Sequence, residues 1–158
     1  MKILKEIIPY VIIIVVVILI RTFIVTPVQV DGESMYPTLD NDEILILKKY
    51  DKTYERFDII VFNYNGSKLV KRVIGLPGEK VAYKNNELYI NDKKINDVIT
   101  IGTTNFAYDK IPDGCYFVLG DNRGNSIDSR RIGVICNKDI LGTTTFSIFP
   151  FNKFGFID

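Results

Sequence analysis

The chain contains no histidine. That removes the side chain whose unperturbed titration lies nearest neutrality and which most often takes a proton from a hydroxyl. It also removes half of the usual zinc ligand sets. The two cysteines, Cys115 and Cys136, form no C-x-x-C motif, so no metal and no cofactor is expected. They are read as two small buried hydrophobes, with a disulfide the lesser alternative that spacing does not decide. Charge of either sign is not in excess: 20 Lys and Arg against 19 Asp and Glu give a net charge of +1. Nothing here argues for nucleic acid as a partner or for an acidic solvating tail. Alanine is scarce, whereas nine tyrosines, ten phenylalanines and many Ile and Val favour strands over helices beyond the N-terminus. At 158 residues there is room for one domain and a short appendage.

What the sequence does have is a long apolar run. From Ile7 to Ile20 it reads IIPYVIIIVVVILI without a charge. Ile3 and Leu4 before it, and Phe23, Ile24 and Val25 after it, extend it toward the roughly 20 residues of a bilayer span. Lys5 and Arg21 sit where cationic side chains reach the interface. Pro9 is placed in the first turn or two, where a proline does least harm to a helix. A strand is excluded by length. A cleavable signal peptide would need small residues before a cut, and Arg21-Thr22-Phe23-Ile24-Val25 supplies none. The expectation is therefore an uncleaved anchor. Residues 1–25 form a cytoplasmic tip and one transmembrane helix, and residues 26–158 an extracytoplasmic β domain. Lys2, Lys5 and the amine before the span, against Arg21 after it, set that orientation in the cell membrane.

Thr26-Pro27 ends the helix. Residues 43–48, 58–62, 68–74, 115–119 and 141–149 are short apolar runs between polar turns, as buried strands are. Val81 to Lys84 and Glu87 to Ile90 make a hairpin about a positive-φ turn at Asn85-Asn86, with another turn at Asn91-Asp92. Residues 96–112 read as loop. The fold class that follows is mainly β, a folded antiparallel sheet or barrel-like domain.

A serine hydroxyl needs a base before it acts as a nucleophile. Without histidine the candidates are a carboxylate, a tyrosinate or an unprotonated lysine. Lys71 lies between Leu69 and Val73 on one face of its strand, and Arg72 between Val70 and Ile74 on the other. Either cation is a candidate for a dry environment, and desolvation lowers a lysine pKa by up to about 3–5 units. Spacing leaves open whether the Lys71 amine is buried or in water. Ser34 is favoured as nucleophile because Gly32 permits close approach and the membrane is near, although Ser67, Ser126, Ser129 and Ser147 are not excluded. The stretch from Gly120 to Arg130 is dense in locally bonding groups, which a purely structural loop with an Asp128–Arg130 ion pair would also use.

Gly32-Glu33-Ser34-Met35-Tyr36-Pro37-Thr38-Leu39, Arg56 to Phe62, Lys71 to Gly78, and Gly120-Asp121-Asn122-Arg123 through Arg130 stand in this order. Together they resemble the blocks of bacterial type I signal peptidases, over nearly the whole chain. The resemblance implies a membrane-anchored Ser/Lys endopeptidase, expected to act as a monomer beside membrane lipid. Its partners would be preprotein signal peptides, cut after small residues at the first and third positions before the cut. It assigns Ser34 as nucleophile, with its backbone N–H as an oxyanion donor, and Lys71 as general base. Ser126 matches the serine whose hydroxyl orients the lysine amine, and Asp128 and Arg130 match residues that hold the site's shape. Two positions depart from the pattern. Gly32 stands where some members carry a second, hydroxyl donor to the oxyanion, and Phe57 where a glycine is common. An inserted second domain of larger members is expected to be absent or reduced to residues 80–112. Two other functions fit parts of the chain: a self-cleaving Ser/Lys protease of the repressor type, and a membrane-tethered β domain that only binds a partner.

Overall fold

The computed structural model describes residues 2–51, 53–100 and 102–157. Helix α1 (Lys2–Phe23) contains Pro9 at its eighth residue, deeper than the first turns expected from sequence. The side chains from Glu6 to Leu19 are exposed, Ile12 by 56% and Ile14 by 58%. Among the described residues, which in α1 leave out the side chains of residues 2–5, 20, 22 and 23, no helix is long and apolar enough to cross a membrane. The side chains of Lys2 and Lys5, on which the orientation rests, lie outside the described residues, as do Met1 and Asp158.

Beyond the helix the regular structure is almost entirely strand. The elements are β1 (Val25–Gln29), β2 (Ile44–Lys48), β3 (Ile59–Tyr64), β4 (Ser67–Gly75), β5 (Val81–Lys84), β6 (Glu87–Ile90) and β7 (Lys93–Ile95). They continue as β8 (Phe106–Tyr108), β9 (Cys115–Leu119), the one-turn helix α2 (Ser129–Ile132), β10 (Ile135–Cys136), β11 (Ile140–Phe149) and β12 (Gly155–Phe156). One antiparallel sheet runs β1-β2-β11-β3-β4-β9-β10, with β12 on β11, and a smaller one runs β7-β6-β5-β8. The large sheet is an open path from β1 to β10, so "folded sheet" describes it and "barrel" does not. Pro27 sits in β1, an edge strand, where a missing N–H leaves no ladder bond unmade.

The two expected asparagine turns are present, with φ of 53° and 66° at Asn85 and Asn86 and 50° at Asn91. Two expectations fail. The segment 96–112 is not all loop: Phe106 to Tyr108 pairs with β5 and closes the small sheet. The cysteines are not free hydrophobes: Cys115 and Cys136 are cross-strand partners in β9 and β10, their Cα atoms 3.9 Å apart, and they form a disulfide.

The core explains where the site goes. Met35 and Leu39, both fully buried, plug the loop after β1 into a cluster with Val28, Leu45, Ile59 and Val61. A second cluster joins the two sheets through Ile74, Val81, Tyr83, Leu88 and Phe117. Strand β4 runs between β3 and β9, in the middle of the large sheet. Its residues from Val70 to Gly75 are all buried.

Candidate active site

The loop between β1 and β2 is pinned from beneath by Met35 and Leu39, which leaves the neighbouring Ser34 at the surface of the fold. Gly32 has φ of 89° and open space where a Cβ would stand. Its N–H is taken by the Asn41 side chain, at 2.7 Å. From the next layer, Lys71 on β4 reaches the same point. Its Nζ lies 2.6 Å from Ser34 Oγ and donates to the Val70 carbonyl at 2.7 Å. Lys71 is only 2% exposed. Burial pulls the amine down from an ordinary lysine value and the charges of Asp128 and Asp121 pull it back up, leaving it at about 8. A neutral amine accepts the hydroxyl proton of Ser34; a protonated one donates to its oxygen.

Arg72, the next residue, is buried on the other face and is treated differently. Its Nη2 meets Asp121 Oδ2 at 2.7 Å and its Nε meets Oδ1 at 3.0 Å, a two-pronged pair with both partners buried. Thr38 donates to the same carboxylate at 2.6 Å, and Arg72 Nη1 donates to the Phe57 carbonyl. Phe57 itself has φ of 75°, so the turn keeps the left-handed backbone that glycine would take more readily.

The segment after β9 closes the site. Asn122 donates its backbone N–H to the Ser34 carbonyl at 3.0 Å and its side-chain amide to the Glu33 carbonyl at 3.1 Å. The Asp128 carboxylate receives Arg130 Nη2 at 2.7 Å and the Gly120 N–H at 3.1 Å. Burial pushes that carboxyl up, but Arg130, Gly120 and the nearby Ser126 outweigh it and hold the group below its usual value. Ser126 lines the cleft with Ser34 and Lys71. Its hydroxyl is buried without a partner of good geometry among the described residues, so it does not bond the Lys71 amine in this arrangement. Gly120 lies directly beneath: a Cβ there would stand 2.1 Å from Ser126 Oγ and 2.5 Å from the Ser34 carbonyl oxygen.

The cleft over these groups has a volume of about 430 Å³, and Leu69 and Ile127 give it apolar wall. The other serines are elsewhere engaged: Ser129 Oγ accepts from the Val118 N–H, Ser147 donates to the Phe149 carbonyl, and Ser67 is exposed at the start of β4. Among the described residues, no group of three or more Asp, Glu or Cys could hold a metal ion. Sequence reasoning placed Thr38, Gly120, Asp121 and Asn122 in the resembling blocks but gave none of them a role in the site. The available signal was an acid one residue beyond a run of five apolar residues, with an arginine set among apolar residues in another expected strand.

The family profile described as "Signal peptidase, peptidase S26" matches residues 3–149. The chain belongs to the signal peptidase family, peptidase S26. It is 44% identical over 160 residues to signal peptidase I S of Bacillus subtilis, covering 90% of this chain and 87% of that protein. It is 40% identical to a signal peptidase I of Bacillus caldolyticus, covering 94% and 92%. A crystal structure of a signal peptidase I from Enterococcus faecalis V583 superposes with a TM-score of 0.53 at 36% identity, over 58% of this chain and 97% of that one. Membership makes this a hydrolase of the protease class, an enzyme of the signal peptidase I type. It displaces the reading of a tethered domain that only binds.

Proposed function

We propose that this chain is a membrane-anchored serine endopeptidase that removes signal peptides from exported preproteins, with Ser34 and Lys71 as a catalytic dyad. The observation that carries the proposal is the 2.6 Å approach of Lys71 Nζ to Ser34 Oγ in a chain without histidine. With its pKa near 8, about one Lys71 in ten is neutral at pH 7. At an ordinary lysine pKa of about 10.4 the share would be about one in two and a half thousand.

The neutral amine takes the Ser34 proton as Oγ attacks the scissile carbonyl. The oxyanion receives a hydrogen bond from the Ser34 N–H, which has no partner among the described residues. The Gly32 N–H is committed to Asn41 and is not the second donor. The Lys71 ammonium passes its proton to the departing amine of the mature protein, leaving the leader as an ester on Ser34. A water gives its proton to Lys71 and its oxygen to the ester, which frees the leader carboxylate and restores the hydroxyl. Asp128 and Arg130 hold the segment that carries Ser126 and position the site without touching the reacting atoms. Small residues at the first and third positions before the cut suit a cleft of this size over Ser34.

The domain division we infer is residues 1–25 as anchor and 26–158 as the extracytoplasmic catalytic domain. At about 1.5 Å per residue the 22 residues of α1 reach about 33 Å, against a hydrocarbon layer of about 30 Å. Its exposed Ile and Val side chains have no protein cover, which lipid would supply. The full-length chain in detergent should cut a signal-peptide substrate after a small residue, and Ser34→Ala should cut none. Full activity in that variant, or no cleavage by the unaltered enzyme, would overturn the proposal.

A further inference from the structure

The cleft carries charge that the chemistry above does not use. Apart from Lys71, its charged lining is Asp31 and Glu33 from the Ser34 loop and Arg131 from the segment that carries Ser126. The three arginines of that segment are not equivalent. Arg123 is paired with Asp97 at 2.6 Å, and Arg130 with Asp128. Arg131 is exposed, and its side chain has no partner among the described residues. Only its backbone is tied, the N–H donating to the Asp128 carbonyl at 2.8 Å. That bond fixes the start of the side chain and leaves all five guanidinium donors for something else.

Arg131 also stands where the cleft meets an adjoining cavity of about 330 Å³, the two sharing Gly124 and Ser126. Arg123 and Arg130 line that second cavity too, and Arg123 Nη2 is buried there without a partner. With Arg123 and Arg130 each matched by an aspartate, Arg131 brings the unbalanced positive charge to this junction, while the Ser34 loop contributes the exposed carboxylates of Asp31 and Glu33 to the same cleft. A bound peptide meets charges of both signs in one cleft.

We propose that Arg131 is a specificity residue, taking the side-chain carboxylate of an Asp or Glu in the substrate close to the scissile bond. The inference rests on the peptidase reading. That reading keeps the first and third positions before the cut for small side chains. The carboxylate therefore comes from the second position before the cut or from the first three residues after it. An extended chain advances about 3.3 Å per residue, so these four positions lie within a long side chain's reach of the cleft. Arg131 touches none of the reacting atoms, and its effect belongs in KM rather than in kcat.

The test uses full-length enzyme in detergent and a set of signal-peptide substrates in which each of the four positions carries Glu, Gln or Lys in turn. In the unaltered enzyme, one position should favour Glu over Gln by about fivefold in kcat/KM, the range of a partly exposed ion pair. That ratio should fall toward one at about 1 M salt, where screening acts within about 3 Å. In Arg131→Glu the same position should prefer Lys over Gln, with the change in KM and the pH profile unmoved. Unaltered enzyme that cuts none of the peptides overturns the peptidase reading and this inference with it. Enzyme that cuts them all, with the same Glu-to-Gln ratios before and after Arg131→Glu, overturns this inference alone.

Discussion

Lys71 and Arg72 are consecutive residues on one strand, both long, both cationic and both buried, 2% and 6% exposed. The fold gives Arg72 a carboxylate gripped at two points and gives Lys71 a hydroxyl and a carbonyl. Taking an unpaired charge out of water is costly, and an ionisable group relieves the cost by shifting its pKa. An arginine has no such escape and needs its partner. A lysine has it, and here the shift itself is useful. On one side of β4 the strand holds a charge in place, and on the other it makes a charge easy to lose. The comparison is broken most severely by removing the group that is left unpaired. Lys71→Met keeps the bulk and deletes the proposed base, and cleavage should fall by about 10³-fold or more. The same variant should unfold at higher denaturant at pH 7, because it no longer buries an ammonium. Activity lost together with stability would mean that Lys71 supports the fold rather than the reaction.

The opposite result is expected one residue away. Asp121→Asn keeps the shape of the side chain and strands Arg72 without a counter-charge. Breaking a buried pair from one side costs about 3–5 kcal/mol, which chemical denaturation would read directly. Replacing both partners with apolar residues, Arg72→Met with Asp121→Leu, should recover most of that loss. A loss of less than about 1 kcal/mol in Asp121→Asn would mean that the pair is not desolvated as its burial implies.

Both cations depend on the segment that follows β9, since Asp121 partners one and Asp128 acts on the other. Gly120 sits at its base, and Gly120→Ala tests whether the two sides are held by a common part. The new methyl would meet the Ser34 carbonyl oxygen at 2.5 Å, a backbone atom that cannot swing aside, as well as Ser126 Oγ. A displacement of about 1 Å at reacting atoms costs on the order of 10²-fold in rate. Overpacking adds a stability loss of about 1–3 kcal/mol. Retained activity would place the Ser34 loop under less constraint than its hydrogen bonds to Asn122 indicate.

Why these contacts were only half legible in the sequence follows from their range. The strands announced themselves because their apolar runs are local, and the Asn85-Asn86 turn because its residues favour the required backbone. Lys71 was legible as a candidate from its apolar neighbours on the same strand face. Its burial was not, because that depends on β3, β9 and the Ser34 loop arriving from elsewhere. Asp121 looked like one more polar loop residue, since its partner lies 49 positions away in the chain. The disulfide was hidden for the same reason. β10 is two residues long, with no periodicity to reveal that Cys136 faces Cys115. Strand β8, three residues inside a polar stretch, left as little trace. The resemblance assigned Ser126 to the lysine amine, whereas the fold places its hydroxyl beside Asp128, without a bond to that amine.

The finest test of the comparison is titration, because Lys71 should change its charge in an accessible range while Arg72 does not. In the proposed mechanism the active form carries a neutral Lys71. With a substrate that does not itself titrate, kcat/KM should rise about tenfold per pH unit below about 8 and level off above it. Stability should move the same way, and the sign is fixed by which state holds the proton more tightly. Between about 8 and the ordinary lysine value, the unfolded chain keeps the Lys71 proton while the folded chain has released it. The unfolded state then binds more protons, and stability rises with pH across that window. Below about 8 both states are protonated and the full cost of burying the ammonium is present, on the order of 3 kcal/mol at about 1.36 kcal/mol per unit. Lys71→Met should abolish this slope, so the difference between its stability and that of the unaltered chain should shrink as pH is raised from 8 to 10. An acid limb that stays near 8 in activity, with no matching slope in stability, would assign the titration to a group other than Lys71.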